Sequence, residues 1–299
     1  MLEKKTVLIL GAGASQPYGY PTGIELSHTL SRELIPGGNG HSRLKALGGY
    51  SREHIVEFRE AFKFSGKNSV DAFLEHRTEY MEIGKAAMAA ILVPQENPET
   101  LFDYQNSWLR CLYNNMNTSF EEFGKQPLSI ITFNYDRTVE HFLFSSLKHS
   151  YGKSDEECRD ALNAIPIIHL HGRLAYLPWQ NPDEGRPYDF NLDERAIELG
   201  TKNIKIIHED ITGRDEDFSK AKALLAEAQQ TFFLGFGYAR MNLQRIGIDR
   251  DLGGPVYGTA QGLGQEDMKR VSAFSNNKIT FINAGLTDVV NDRIDWGSI

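Results

Sequence analysis

Several groups of residues in this sequence could act together on one small molecule. Gly11-Ala12-Gly13-Ala14-Ser15 directly follows an apolar run. Glycines there let a backbone turn tightly and approach a phosphate, and the same residues would equally make a plain strand-to-helix turn. Asn134 and Asp136 flank Tyr135 after a second apolar run. Alternation puts both on one side if the extended chain continues, and either would also cap a helix. His171 stands before Gly172 after a third run. An imidazole at a strand end can take a proton near neutral pH, or it can be a hydrogen-bonded structural group. His169 shares that face if the strand is regular, and the structural reading suits it better. Gly235-Phe236-Gly237-Tyr238 follows a fourth run, and Asn283 follows Phe281-Ile282. Together these groups suit the binding of a phosphorylated ligand and the movement of one proton. No Gly-Lys-Ser/Thr follows the glycine loop, which argues against a triphosphate P-loop.

The elements that must position them read as an α/β chain. Lys5 to Leu10 is a short β-branched and Leu-rich strand, and Pro21-Thr22-Gly23 leads into a helix that Thr22 can cap. Leu128 to Phe133, Ile165 to Leu170, Thr231 to Leu234, Pro255 to Gly258 and Lys278 to Ile282 supply five more strands. Helices through Leu147, over Ala221 to Ala228 and over Glu266 to Phe274 alternate with them, and Trp179 to Tyr188 reads as a loop. Alternation of this kind predicts a Rossmann-like parallel sheet with helices on both faces. Ligands of such a sheet bind at the carboxyl ends of the strands, where the groups named above fall. Gly37-Gly38-Asn39-Gly40 marks a stop and residues from about Glu53 to Phe123 read mostly as helices, so the expected organisation is a Rossmann-like unit from 1–36 and 125–299 with a helical insertion domain over 37–124. The aromatic residues of that insertion are expected to pack a core.

Composition narrows the function classes. Lys plus Arg is 32 against 40 Asp plus Glu, a net charge of −8. That argues against binding nucleic acid or an anionic membrane through bulk charge. No apolar run is long enough for a bilayer or a signal segment, so a cytoplasmic protein is expected. Cys111 and Cys158 are the only cysteines. They cannot form a four-cysteine zinc site, and His169 with His171 lacks a neighbouring carboxylate cluster, so no metal is expected.

Taken in order, these motifs resemble those of the sirtuin-like family. Gly11-Ala12-Gly13-Ala14-Ser15 followed by Tyr18-Gly19-Tyr20-Pro21 is similar to the first sirtuin motif. Thr132-Phe133-Asn134-Tyr135-Asp136 resembles the Thr-Gln-Asn-Ile-Asp block, and Leu170-His171-Gly172 resembles the catalytic His-Gly. Gly235-Phe236-Gly237 looks like the later phosphate turn, and Phe281-Ile282-Asn283 like the Ile-Asn at the adenine ribose. The departures point to one branch. Thr22-Gly23-Ile24 stands where sirtuin deacylases carry Asp-Phe-Arg, whose phenylalanine shields the sugar intermediate from water. Phe133 replaces a glutamine, and the zinc ribbon is missing. The pattern resembles the sirtuin-like NAD hydrolases that serve as effectors of bacterial antiphage defence.

The resemblance implies hydrolysis of NAD+ to nicotinamide and ADP-ribose, with NAD+ as substrate. It implies that Gly11, Ala12, Gly13 and Ser15 hold phosphate, that Asn134 orients ribose or water, and that Asp136 faces the nicotinamide amide. His171 would be the base on a ribose hydroxyl or on water, Gly235 and Tyr238 would line the diphosphate, and Asn283 would hold the adenine ribose. A toxic hydrolase needs restraint, so a homo-oligomer or a regulatory protein partner is expected. An NAD-dependent protein deacylase and a non-catalytic sensor of NAD or ADP-ribose remain alternatives.

Overall fold

The computed structural model describes residues 2–206, 215–248 and 252–296. Six strands run parallel: β1 (Thr6–Leu10), β2 (Leu128–Thr132), β3 (Ile167–His169), β4 (Gln230–Leu234), β5 (Val256–Thr259) and β6 (Ile279–Ile282), in the order β3-β2-β1-β4-β5-β6. That is the doubly wound order, in which the winding reverses between β1 and β4 and opens a crevice at their carboxyl ends. Leu10 lies opposite Thr132 on one side and Leu234 on the other, and Thr132 lies opposite His169. Four strands thus end level, and the glycine loop, Asn134, His171 and Gly235 all start from one rim.

The strands are apolar because they are covered twice. Every residue of β1 and of β4 is buried. Leu8, Leu10, Ile130, Phe232 and Leu234 join the apolar cluster on one face, and Val7, Ile9, Ile131 and Phe233 join that on the other. This is the period of two that sends alternate side chains to opposite faces.

Between β1 and β2 the described residues form helices and no strand. They are α1 (Gly23–Glu33), α2 (Asn39–Leu47), α3 (Arg52–Phe64), α4 (Val70–Leu74), α5 (Met81–Leu92), α6 (Pro98–Asp103), α7 (Trp108–Asn115) and α8 (Phe120–Phe123), with short 3-10 turns. Thr22 starts α1 in a capping box: its hydroxyl accepts from the Glu25 N–H, and its own N–H donates to the Glu25 carboxylate. Phe58, Phe73 and Trp108 are fully buried. Leu44, Ile55, Phe58 and Ile83 share one cluster with Leu8 and Leu10, so the inserted helices and the sheet bury a common apolar surface.

The rest of the chain alternates as a doubly wound fold requires. After β2 come α9 (Thr138–Tyr151) and α10 (Asp155–Asn163); after β3 come α11 (Glu194–Asn203) and α12 (Glu216–Glu227). Then α13 (Arg240–Ile246) follows β4, α14 (Gln265–Phe274) follows β5, and α15 (Leu286–Asp292) follows β6. Phe218, Leu225, Leu243 and Val271 cover the second face from α12, α13 and α14. Spacing alone does not reveal α10, α11, α13 or α15, and β3 is shorter than the apolar run Ile165 to Leu170. The chain leaves β3 because Gly172 turns it at φ +68°. No described helix is long and apolar enough to cross a membrane.

Candidate active site

A cleft of about 410 Å³ opens over the carboxyl ends of β1, β2 and β4. Ligand pockets generally span about 300–1,000 Å³. Its floor is the glycine loop, a 3-10 turn over Ala12–Ala14. The loop is tied down through its own backbone. Gly11 N–H donates to Leu234 O at 3.0 Å, Gly13 N–H to Gly235 O at 2.9 Å, Ala14 N–H to Gly11 O at 2.9 Å and Ser15 N–H to Ala12 O at 3.1 Å. The Ala12 N–H is the loop donor left without a partner among the described residues. Gly235 has φ +57°, and a Cβ there would lie 2.1 Å from the Ala14 nitrogen. This position accepts glycine alone. Gly13 and Gly235 thus build the floor, while Gly11, Ala12 and Ser15 line the cleft.

Asn134 is fixed by this floor. Its Nδ2 donates to Gly11 O and to Ser15 Oγ, both at 2.9 Å. Both amide hydrogens are then committed, and Oδ1 is the acceptor left for a ligand hydroxyl or a water. Ser15 Oγ donates to Asp136 Oδ2 at 2.6 Å, and Asp136 Oδ1 accepts from the Thr138 N–H and hydroxyl. Burial raises the Asp136 carboxyl above its ordinary value, and the Ser15 and Thr138 bonds work against that rise. Asp136 touches the cleft, but its oxygens already hold Ser15 and the start of α9.

His171 stands across the cleft, 8% exposed, edge-on to the Phe133 ring and beside the tilted ring of Tyr135. Its Nε2 is buried without a hydrogen-bond partner. Its Nδ1 lies 3.9 Å from Asp71 Oδ1. Burial lowers the imidazole pKa, Asp71 raises it, and Arg245 lowers it further. A buried base kept neutral near physiological pH is suited to accepting a proton.

His169 is built differently. Its Nδ1 lies 3.1 Å from the Asn134 carbonyl and its Nε2 2.7 Å from Glu140 Oε1. Both ring nitrogens face oxygen acceptors, so neither is free for a metal. Burial by itself would raise Glu140, but His169 and Arg173 hold it down to about 2. His169 therefore supports Asn134 from below the cleft. No group of three or more His, Cys, Asp or Glu among the described residues is placed to hold a metal ion.

Two of the expected residues sit otherwise than the strand-end pattern suggests. Tyr238 lines the cleft, but its hydroxyl donates to Thr259 O at 2.9 Å, and its ring packs on Phe233, Phe236 and Phe281. Burial raises its phenol pKa. Its backbone is left-handed at φ +51°, a strained state for a bulky residue and common around binding sites. Asn283 is exposed at the end of β6, on the sheet edge, and does not line the cleft.

Sequence reasoning misses the wall facing His171. Asp71 on α4 and Glu75 just after it reach over the cleft, and Arg245 on α13 closes it from the other side, 2.7 Å from Glu75 Oε1. The Tyr135 hydroxyl donates to Asp71 Oδ1. Trp108 Nε1–H donates to Ala14 O at 2.7 Å, so a core tryptophan of the inserted helices also braces the glycine loop. Ser69 capping α4 is the one local signal that marks this segment as a helix start. No protein-family model matches the chain, and no curated protein matches it.

Proposed function

We propose that this protein is an NAD+ glycohydrolase that cleaves the nicotinamide–ribose bond. One observation carries the reading. The unpartnered Nε2 of His171 and the Asn134 side chain, whose amide is locked to the glycine loop, belong to one cleft at the switch point of a doubly wound sheet. The motif order and the Thr22-Gly23-Ile24 departure support hydrolysis over transfer to an acyl-lysine.

The chemistry balances as follows. The C1′–N bond breaks, its electron pair passes to the pyridinium nitrogen, and neutral nicotinamide leaves an oxocarbenium-like ribose. Water forms the new C1′–O bond and gives its proton to His171 Nε2, which yields ADP-ribose. Asn134 Oδ1 orients the ribose hydroxyl or the water, and orientation of this kind lowers a barrier by several kcal/mol. The rings of Phe133, Phe236 and Tyr238 make a low-dielectric wall that strengthens electrostatic stabilisation of the cation. The Ala12 N–H is the donor for the diphosphate. The motif resemblance further supports an NAD-depleting role in bacterial antiphage defence, with a homo-oligomer or regulatory partner restraining the activity.

The test is to incubate purified protein with NAD+ and measure nicotinamide and ADP-ribose, with and without an acetyl-lysine peptide. Release independent of peptide is expected. Peptide-dependent release would make it a deacylase. NAD+ binding without release, including with proteins encoded beside it, would make it a sensor.

A further inference from the structure

We infer that Asp71, supplied by the inserted helix α4, is the positioning residue for His171: it holds the imidazole with its proton on Nδ1 and leaves the lone pair on Nε2, the ring nitrogen without a hydrogen-bond partner. The inference deepens the hydrolase reading and rests on it for its kinetic consequences.

Three observations lead there. First, Asp71 Oδ1 is the carboxylate oxygen facing Nδ1, at 3.9 Å, while Nε2 has no partner. At that separation the two groups are not hydrogen-bonded, and the nearby carboxylate acts on the ring electrostatically. Second, the carboxylate is itself held. The Tyr135 hydroxyl donates to the same Oδ1, and Ser69 caps α4 with its hydroxyl accepting from the Ala72 N–H at 3.2 Å. Third, the neighbours of the imidazole leave this role to Asp71. Phe133 and Tyr135 meet it through ring contacts, and the charged groups acting on it are Asp71 and Glu75 from the α4 segment and Arg245 from α13. Glu75 is already paired with Arg245. A carboxylate on one imidazole nitrogen fixes the tautomer and steadies the charge that appears when the other nitrogen takes a proton.

The proton path is short. Water gives its proton to Nε2, the imidazolium keeps its Nδ1 proton toward Asp71, and release to solvent resets the base.

Asp71→Asn tests this, since it keeps the shape and the acceptor for Tyr135 while removing the charge; Asp71→Glu is the conservative partner. NAD+ turnover against pH is measured for wild type, both variants and His171→Ala. In parallel, the protonation state and tautomer of His171 are read by imidazole ¹⁵N NMR without substrate. For Asp71→Asn, kcat should fall on the order of 10²-fold while KM changes by only a few-fold, because orientation rather than binding is lost. The acid limb should move to lower pH, since the charge that favours imidazolium is gone, and the wild-type Nδ1–H tautomer should give way to a mixture. Asp71→Glu should recover part of kcat. An unchanged tautomer and an unchanged acid limb in folded Asp71→Asn would overturn the assignment. If wild type shows no turnover, the hydrolase reading fails by itself, and the NMR comparison still decides the Asp71–His171 pairing.

Discussion

Replacing His169 with alanine should destabilise the fold through Glu140 and weaken the site through Asn134. Glu140 lies on α9 with a side chain 2% exposed; His169 Nε2 is 2.7 Å from its Oε1, and Arg173 is 3.6 Å away. Deleting one partner of a buried pair costs about 3–5 kcal/mol, because the remaining charge stays buried. Unfolding entropy is roughly 2.1 cal/mol/K per residue near the midpoint, so roughly 0.6 kcal/mol/K for this chain. The melting midpoint should then drop by about 5–8 °C. The effect has a pH signature. The folded Glu140 carboxyl is held at about 2, below its ordinary 4.5, so the stability its carboxylate contributes is present above pH 4.5 and is lost as pH falls toward 2. Urea midpoints of wild type and variant should therefore converge in acid. The double variant His169→Ala/Glu140→Gln removes the stranded charge and should be more stable than His169→Ala alone. NAD+ turnover should fall as well, since the Asn134 carbonyl loses its 3.1 Å support. A shift under about 1 °C, too small for a lost buried pair, would refute the reasoning. So would a double variant less stable than the single one.

His171→Ala should lower NAD+ cleavage by about 10²–10⁴-fold, the usual contribution of a general base. Asn134→Ala should lower it too, and in both the thermal melt should stay close to wild type because the apolar strand core is untouched. Gly235→Ala should lose both stability and NAD+ binding: its Cβ would sit 2.1 Å from the Ala14 nitrogen, so the glycine loop must lift. Calorimetry and a binding titration check this, and a variant that binds normally would show that the loop can yield without loss. Chelation with EDTA should leave turnover unchanged, since both His169 nitrogens are engaged; activity lost and then restored by zinc or magnesium would contradict that.

The central strands are legible in the sequence because burial on both faces makes them nearly continuous apolar runs, Val7 to Leu10 and Phe232 to Leu234 above all. Which strands neighbour β1 is not legible, because nothing in its five residues names a partner. Asn134, His171, Gly11, Ala12 and Ser15 are visible as polar or glycine residues at strand ends, and the cleft gathers them. Asn283 carries the same local signal, but β6 is the outer strand, beyond the cleft's reach. Asp71 and Glu75 carry no local signal at all. They are carboxylates in a charged helical stretch, and the packing of α4 on α5, the Tyr135 hydroxyl and Arg245 place them beside His171. The two histidines look alike in sequence, but His169 ends β3 with both ring nitrogens engaged, and His171 lies past the strand end with Nε2 unpartnered.

The strand order also sets a timetable. β1 is flanked by β2 and by β4, and Gln230 Nε2 reaches back 224 positions to donate to the Thr6 hydroxyl. Parallel pairings of such long sequence separation form slowly, because the loop entropy is spent before any contact rewards it. At roughly 5–20 residues per second, a ribosome leaves β1 waiting about 10–45 s for β4 to be synthesised. During that interval its unpaired edge is open to wrong partners. The Gly235 carbonyl that anchors Gly13 arrives later still. A nascent or truncated chain therefore already carries Asn134 and His171 but lacks the anchored floor on which they would work, and the cleft is among the last parts of the molecule to take shape.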